Sequence, residues 1–442
     1  HAFTICTSLS SVTLPDDMTR IPQCAFNSCH SLKSIRLPKN LKRIGGSAFR
    51  NCTSLTELTI PDSVVYIAET AFENCVGITS IVWNAKHYDD SDAKKSCFAA
   101  IGSQIKKLEF GDGVEHIPSY LCSGMNQLSS ITIPSGVRSI GKEVFAGCSS
   151  LKSVVWNAKH CQDVSSSSSA PFYKALSQVR SFVIGDSVQH LPNYLCFGMN
   201  RLSSVTIAES VTSIGSSAFS GCSSLTSVAI PNNVTSIGSY AFSDCSSLNK
   251  LTIPNSVTNI GGYAFKNCTS LKSFTVPSNI TYIVSNALSG CSSLTSVVWN
   301  AKDYQKTDCL SNLLSQIKYL TFGDSVQQIP AYFCFSMEQL SSVTISSGVT
   351  SIGYAAFNAC KSLTSVTIPN SVTSIGDKVF YDCSSLTSVT IPNSVTSIGY
   401  AAFYGCSLTS VTLIGPTIES FCQSTTNKLL YDADAWVRRK IE

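Results

Sequence analysis

The sequence predicts a β-rich repeat solenoid, in which short parallel strands from successive repeats stack on one another. A 23-residue pattern, C-x-S-L-x-S-V-x-I-P-x-x-V-x-x-I-G-x-x-A-F-x-x-C, recurs from the first residues to about Leu413. No linker or change of composition interrupts this pattern along the 442-residue chain. The usual estimate of two or three globular domains for such a length therefore does not apply, because stacked repeats form one elongated array.

A leucine-type residue marks the start of each repeat. The spacing is 23 residues, except for 27 after Ile78, 28 after Leu151 and 22 after Leu386. A fixed period of about 20 to 29 residues with leucine-type positions is typical of a leucine-rich repeat array. At roughly 4.8 Å per strand, such an array would extend on the order of 85 Å. The 18 starting positions are Leu9, Leu32, Leu55, Ile78, Ile105, Leu128, Leu151, Val179, Leu202, Leu225, Leu248, Leu271, Leu294, Ile317, Leu340, Leu363, Leu386 and Leu408.

Each regular repeat is expected to contain two short strands, as the segment Cys222–Cys245 illustrates. In the first strand Ser227 and Ala229 alternate with inward apolar residues, as the two-residue period of a strand requires. Pro231 ends that strand, because proline cannot donate to a continuing ladder. A second apolar pair follows, Gly238 permits the next turn, and an Ala-Phe pair closes the core. No repeat buries these groups alone, so burial depends on stacking.

The 20 cysteines mostly share one position of the repeat. In three repeats a methionine takes this position, so the cysteines are interpreted as small buried hydrophobes with free thiols. We expect Cys245→Ser to cost more stability than Cys245→Ala, because a hydroxyl has no assured partner in an apolar slot. The shared position holds Cys6, Cys29, Cys52, Cys75, Cys148, Cys222, Cys245, Cys268, Cys291, Cys360, Cys383 and Cys406. Any disulfide would involve the cysteines outside the pattern, which are Cys24, Cys97, Cys161, Cys309 and Cys422.

Three variant repeats depart from the pattern in the same way. They contain a W-N-A-K motif, in which Trp83, Trp156 and Trp299 take an inward core position while the proline and the second apolar pair are missing. Polar segments follow, at roughly 84–102, 157–176 and 300–314. These segments are either longer edge loops around a bulkier core or loops that carry binding specificity, since loops on a rigid scaffold commonly do so.

Several classes of function find no support in the sequence. Hydroxyl residues occur at equivalent repeat positions, and no catalytic or nucleotide-binding motif is present. The histidines lie at no ligand spacing from a cysteine, so no metal or other cofactor is predicted. The net charge is only +4 with scattered Lys and Arg, which argues against nucleic acid. No apolar stretch approaches about 18 residues, so no membrane span is predicted.

The outward positions of the first strands would form an open surface. They are mostly Ser and Thr, which is typical of a solubilising sheet and also of a weakly polar docking face for a protein or a glycan. Six exceptions are the candidate ligand-binding residues: Arg36, Glu57, Lys107, Glu109, Lys250 and Tyr319.

The segment from Ser385 to Phe403, S-L-T-S-V-T-I-P-N-S-V-T-S-I-G-Y-A-A-F, resembles the BspA-type leucine-rich repeat. The resemblance extends from Ala2 to about Leu413. It implies a secreted or surface-attached, non-enzymatic protein that binds a host protein, a matrix component or a glycan. The family supplies no catalytic residues and no fixed binding motif to carry over.

The expected organisation is a solenoid over residues 1–415 and a non-repeat C-terminal cap over 416–442, in which Leu429 to Ile441 would form a short helix. The chain begins within a repeat, so we expect that an N-terminal cap is missing. Two alternatives to extracellular recognition stay open. The repeats would act as a stalk that projects another domain, or, given the unpaired thiols, as an intracellular interaction scaffold.

Overall fold

The computed structural model describes residues 2–172, 178–284, 286–302, 310, 313 and 315–414. The contacts within the chain divide it into two compact parts. The N-terminal part comprises 1–233 and 241–246, and the C-terminal part comprises 234–240 and 247–442. The predicted cap at 416–442, including its helix, lies outside the described residues, and the single array over 1–415 stays a prediction.

Both parts consist of short parallel strands. The N-terminal part contains β1 (Arg20–Ile21), β2 (Arg43–Ile44), β3 (Glu57–Ile60), β4 (Tyr66–Ile67), β5 (Ser80–Trp83), β6 (Lys107–Phe110), β7 (His116–Ile117), β8 (Ser130–Ile133), β9 (Ser139–Ile140), β10 (Ser153–Trp156), β11 (Ser181–Ile184), β12 (His190–Leu191), β13 (Ser204–Ile207), β14 (Ser213–Ile214) and β15 (Ser227–Ala229). The C-terminal part contains β16 (Ser236–Ile237), β17 (Lys250–Thr252), β18 (Asn259–Ile260), β19 (Ser273–Val276), β20 (Tyr282–Ile283), β21 (Ser296–Trp299), β22 (Tyr319–Phe322), β23 (Gln328–Ile329), β24 (Ser342–Ile345), β25 (Ser351–Ile352), β26 (Ser365–Thr367), β27 (Ser374–Ile375), β28 (Ser388–Ile391), β29 (Ser397–Ile398) and β30 (Ser410–Leu413). The described residues also include 3-10 helices at Gly102–Gln104 and Ser167–Ser169.

The predicted parallel solenoid with two strands per regular repeat is confirmed. Within each sheet, the long strands of three or four residues pair with those of the next repeat, and the two-residue strands pair likewise. The described long strands form five such sheets, so that β6 and β8, for example, belong to different sheets. In β3 the residues alternate between exposed and buried, as predicted. The insertion after Leu151 does not disturb the ladder, since Ser153 pairs with Ser181 across 28 positions. The extra residues are therefore accommodated outside the sheets.

The first two variant repeats lack the two-residue strand, in agreement with the missing second apolar pair, and the equivalent residues of the third lie outside the described residues. Trp83, Trp156 and Trp299 are at most 1% exposed, which confirms their inward position. In the first variant repeat the Asp89 amide donates to the Val65 carbonyl at 3.0 Å, beside β4. The loop thus continues the backbone hydrogen bonding where a strand is absent.

The turns differ from the expectation based on Gly238. The positive φ angles occur further along the repeat, at Tyr240 (58°) and Asp244 (60°). The glycine position is instead a point of close approach: a Cβ atom on Gly261 would lie 2.5 Å from the Ser239 backbone nitrogen. The expected role of this glycine in the turn is therefore wrong, and its lack of a side chain serves packing between repeats.

The core contains two parallel columns of side chains. Phenylalanine rings stack from repeat to repeat, with 5.4 Å between the ring centroids of Phe26 and Phe49 and 5.3 Å between those of Phe357 and Phe380. The ladder thiols lie beside them, and none of the 18 cysteines that the structure describes forms a disulfide. Most ladder cysteines are buried, whereas Cys6 and Cys406 are partly exposed near the two ends of the described chain.

The ladder thiols also donate hydrogen bonds, which the sequence interpretation missed. Each bond runs from Sγ to the main-chain oxygen 26 residues earlier, at 2.8–3.3 Å. Burial raises the pKa of the Cys148 and Cys245 thiols to about 12, so these groups stay protonated and able to donate. The donors are Cys29, Cys52, Cys75, Cys148, Cys222, Cys245, Cys291, Cys360, Cys383 and Cys406.

Candidate binding site

The outward side chains of the long strands lie in rows across neighbouring repeats. Glu57, Ser80 and Lys107 occupy one row, because β3, β5 and β6 pair in register. Glu109 lies in the adjacent row, and its carboxylate is 2.7 Å from the Lys107 ammonium. The structure therefore places three of the six predicted binding residues on one small sheet, with two of them paired to each other.

The other three predicted residues lie elsewhere. Arg36 forms an isolated bridge with Thr13, and its guanidinium is 2.9 Å from the Asp16 carboxylate. In the C-terminal part Lys250 begins β17 and Tyr319 begins β22, in different sheets. Tyr319 is 52% exposed between serines of the neighbouring strands. The six residues do not form one cluster.

Arg36 contributes to an open groove in the N-terminal part, with a volume of about 790 Å³. Lys39 and Lys86 also line it, so three cationic side chains meet there, together with Asp62. Lys86 lies 3.2 Å from Asp62, and Arg36 pairs with Asp16. Among the described residues no carboxylate forms an ion pair with the Lys39 ammonium. Two of the three cations are therefore paired with a carboxylate, and the groove keeps one further positive charge, on Lys39.

Asp16 stays charged at the edge of this groove. Desolvation by itself would raise the pKa of Asp16, but hydrogen bonds from the Lys39 amide and the Arg36 guanidinium, together with the positive charges of both side chains, outweigh it and lower the pKa below its ordinary value. The amide contact is 3.4 Å. The carboxylate thus holds Arg36 and the Lys39 backbone in place across two repeats.

The first variant repeat supplies one wall of the groove, through Asn84 and Lys86 of its W-N-A-K motif. Asn84 takes the position of the regular proline, and its side chain occupies the space where a Cβ atom of Gly111 would lie. The same overlap recurs between Asn157 and Gly185 and between Asn300 and Gly323. The asparagine of the motif and the glycine of the following repeat therefore pack as one unit. The sequence indicates this coupling, because each W-N pair is followed by a G-D pair in the next repeat.

The loops of the variant repeats are partly internal. Phe98 and Phe172 are buried, and they pack against the ring column with centroid distances of 6.0 Å to Phe72 and 4.9 Å to Phe145. Parts of the second and third loops, 173–177 and most of 303–314, lie outside the described residues. The specificity role predicted for these loops stays a prediction.

The first two variant loops each supply an aspartate to a histidine and a serine of the next two repeats. His116 is hydrogen-bonded to Ser139 at 2.8 Å and lies 3.4 Å from Asp90. His190 is bonded to Ser213 at 2.7 Å and to Asp163 at 3.1 Å. The sequence analysis missed these triples, because each joins residues 23 to 27 positions apart across an inserted loop.

This arrangement resembles the groups of a nucleophilic triad, but its surroundings differ from an acyl-transfer site. Such chemistry needs backbone N–H groups aimed at the developing oxyanion. The Ser139 amide donates to the Glu115 carbonyl, and the Gly141 amide donates to the Ile117 carbonyl. Asp90 instead accepts the Ser119 amide at 2.5 Å. The triples therefore tie the variant loops to the following repeats.

The residues that the structure describes contain no helix long and apolar enough to cross a bilayer. They also contain no group of three or more His, Cys, Asp or Glu side chains placed to hold a metal ion.

Comparison with known proteins gives a family match over most of the chain. The profile described as "BspA type Leucine rich repeat region (6 copies)" matches residues 1–119, 91–198, 193–313 and 305–428. A solved leucine-rich repeat protein from Bacteroides ovatus is 25% identical, with a TM-score of 0.44 over 88% of this chain and 86% of that one. A comparison with curated proteins found no match.

Two further solved structures are more distant. A leucine-rich cell surface protein from Faecalibacterium prausnitzii is 20% identical, with a TM-score of 0.28 over 84% of this chain and 91% of that one. The pneumococcal vaccine antigen PcpA is 22% identical, with a TM-score of 0.36 over 71% and 74% of the two chains.

Proposed function

Because this chain belongs to the BspA-type leucine-rich repeat family, we propose that it is a non-enzymatic, extracellular or cell-surface recognition protein that binds a protein partner. The observation that carries the proposal is the cationic groove formed by Arg36, Lys39 and Lys86. The stacked repeats fix the backbone that carries these charged residues, so the residues are already positioned before a ligand binds. A partner with acidic side chains is the one that this groove would recognise.

The scaffold leaves the outward positions free to vary. In β3 the inward Leu58 and Ile60 are at most 1% exposed, whereas Glu57 and Thr59 point outward. A change at an outward position removes a contact with solvent or ligand and leaves the core unchanged. Recognition residues can therefore differ between repeats without loss of the fold, as the charged residues on β3 and β6 do.

The free thiols are compatible with an oxidising compartment. Oxidation and disulfide exchange require the thiolate. Burial raises the pKa of Cys122, Cys196 and Cys222 well above its ordinary value, which keeps these thiols protonated and out of reach of oxidants. The unpaired cysteines thus do not require the intracellular alternative.

The test is saturable binding of the purified chain to an array of extracellular matrix proteins and glycans, followed by affinity measurement on the strongest protein partner. We expect a Lys39→Gln/Lys86→Gln double variant to weaken binding by about tenfold or more, since contacts to charged groups contribute roughly 1.5–3 kcal/mol. Lys272→Gln is the matched control, because Lys272 is an exposed lysine of the C-terminal part that belongs to neither the groove nor another proposed binding surface. If the chain binds glycans alone, the protein partner in this proposal is wrong and a glycan takes its place. If the groove variant and the control weaken binding equally, the groove is not the binding site.

The stalk is the second candidate. It is favoured by the uniform Ser and Thr rows on strands such as β24, β26 and β28, which offer nearly identical surfaces from repeat to repeat. Absence of saturable binding to every member of the array would support it over recognition.

A further inference from the structure

A cluster of exposed aromatic side chains lies on the turns of the C-terminal part. We call it the aromatic patch; it consists of Tyr332, Phe335, Tyr354, Tyr381, Tyr400 and Tyr404. Five of these side chains are 38–53% exposed, and Tyr381 is partly exposed beneath them. Large aromatic side chains that remain exposed in a group are typical of binding surfaces.

Backbone hydrogen bonds hold the patch in register. The Tyr332 amide donates to the Tyr354 carbonyl at 2.9 Å, and the Lys378 amide donates to the Tyr400 carbonyl at 2.8 Å. One row therefore runs Tyr354, Asp377, Tyr400 over three successive repeats. The Ser336, Ala359 and Asp382 amides fix a second row in the same way, which runs Phe335, Asn358, Tyr381, Tyr404.

The rings also support one another. The ring centroids of Tyr332 and Tyr354 are 5.1 Å apart at 62°, and those of Tyr381 and Tyr404 are 5.1 Å apart at 17°. Lys378 covers the Tyr381 ring, with 5.7 Å from its ammonium to the centroid. These contacts restrict the side chains before binding, which lowers the entropy lost when a ligand docks.

Each row contains one pair of aromatic residues two repeats apart with a polar residue between them, and in the second row Tyr404 follows Tyr381 directly. Equivalent rings are 5.1–5.3 Å apart in successive repeats here, so two repeats span about 10.4 Å. One turn of a polyproline II helix spans about 9.3 Å, since it rises 3.1 Å per residue over three residues. A ligand in that conformation, lying along the stacking direction, would present the same face to Tyr354 and Tyr400, and to Phe335 and Tyr381.

The charge of the surface selects among such ligands. Asp377 lies between Tyr354 and Tyr400, and its carboxylate also accepts the Tyr400 amide at 2.6 Å. With Glu338, Asp382, Lys361 and Lys378, the surface carries three acidic and two basic side chains. Lys361 is engaged with Glu338 at 2.7 Å. The residual charge is negative, which complements a basic ligand residue.

We propose that the aromatic patch binds a proline-rich protein segment that carries basic residues, in the extended polyproline II conformation. Prolines would pack between the aromatic residues of each row, as aromatic-lined grooves recognise such segments elsewhere. A basic side chain would lie over Asp377. This surface is separate from the cationic groove, so either can fail without the other.

The N-terminal part offers a matched control. Tyr194 and Phe197 repeat the intra-repeat pair of Tyr332 and Phe335, with centroids 5.7 Å apart at 70° against 5.8 Å at 71°. Their neighbours in the next repeat are serines, Ser216 and Ser220, so no extended row forms there. Serine at these positions is thus compatible with the fold, which makes Tyr→Ser substitutions suitable for the patch.

The experiment measures binding of a fluorescein-labelled peptide of four Pro-Pro-Arg triplets to the full chain by anisotropy, with an Ala-Ala-Arg peptide of equal charge as the comparison. We expect saturable binding of the first peptide only. The Tyr354→Ser/Tyr400→Ser variant should weaken it by about tenfold or more, and Asp377→Asn by several-fold. Tyr194→Ser/Phe197→Ser should leave it within about twofold.

Three results would overturn the proposal: no saturable binding of the Pro-Pro-Arg peptide, equal binding of the Ala-Ala-Arg peptide, or unchanged binding after substitution of Tyr354 and Tyr400. Circular dichroism and urea midpoints of each variant establish that the chain is folded. Saturable binding of an oligosaccharide in place of the peptide, lost in the same double variant, would reassign the patch to glycans and overturn the peptide assignment.

Discussion

The contact between Asn84 and Gly111 makes the effect of Gly111→Ala depend on residue 84. The substitution should destabilise the protein while Asn84 is present, and it should be neutral or stabilising once Asn84 is replaced by alanine. A Cβ atom on Gly111 would collide with the Asn84 amide group, and the three heavy atoms nearest to it all belong to Asn84. Its φ lies outside the left-handed region, so alanine is compatible with the backbone. The clash is therefore the main cost of Gly111→Ala.

The magnitude follows from two opposing effects. Forcing extra atoms into a packed site costs about 1–3 kcal/mol. Replacing glycine by alanine at a compatible backbone position stabilises by about 0.4–1 kcal/mol, through the unfolded state. Gly111→Ala should therefore lower the free energy of unfolding by about 1–2 kcal/mol. After Asn84→Ala the nearest atom is the residue-84 Cβ at 3.7 Å, an ordinary contact, and the same change should be neutral or stabilising.

The assay is equilibrium urea denaturation followed by tryptophan fluorescence, for the wild type, the two single variants and the double variant. Gly113→Ala serves as the control, because the three atoms nearest to its Cβ would all belong to the flexible end of Lys86, and we expect little loss of stability there. If Gly111→Ala costs the same in both backgrounds, the packing unit formed by the W-N motif and the following glycine is wrong.

Three further predictions concern buried and tethered groups. Cys245→Ser should be no less stable than Cys245→Ala in urea, contrary to the expectation from sequence, because the hydroxyl can donate to the Phe219 carbonyl that now accepts the thiol; a serine deficit above about 1 kcal/mol would contradict the bond. A maleimide should label few of the 20 cysteines in the native chain and nearly all of them in denaturant without reductant; few reactive thiols in denaturant would indicate disulfides. Burial acts to raise the pKa of Asp90, but hydrogen bonds from Ser119 and the neighbouring His116 outweigh it and lower this pKa below its ordinary value. That stabilisation is present above the unfolded pKa of about 3.9 and disappears as the pH falls through the folded value, so Asp90→Asn should reduce stability at neutral pH and flatten its acid dependence, and an unchanged acid profile would refute the tether.

Much of the fold could be predicted because the 23-residue spacing of the apolar positions determines it. The alternation around Ser227 places each strand face, and the missing apolar pair after Trp83 predicts the missing two-residue strand. These signals depend only on which residues within one repeat are apolar. The register of strand pairing follows from the same pattern, because identical inward faces bury one another only when equivalent positions of successive repeats lie side by side.

The rest depends on geometry between repeats, which one repeat does not reveal. The thiol of Cys245 meets the Phe219 carbonyl only because of where the turn places both. Asp90 reaches His116 only because an inserted loop returns beside a two-residue strand. The cationic groove joins Arg36 to a lysine of a W-N-A-K motif two repeats later. Sequence reasoning selected Arg36 from its outward position but could not place Lys39 or Lys86 beside it.

The central claim is that recognition of the protein partner depends on the cationic groove, to which a variant repeat contributes Asn84 and Lys86, while the regular repeat 223–245 outside the groove can be exchanged. The most direct measurement is the affinity of the strongest array-identified protein partner for three chains: the wild type, the Lys39→Gln/Lys86→Gln variant, and a chain in which residues 361–383 replace 223–245. We predict that the repeat exchange leaves the Kd within about twofold and that the groove variant raises it by about tenfold or more. A Kd that rises with the repeat exchange and stays unchanged in the groove variant would contradict the account.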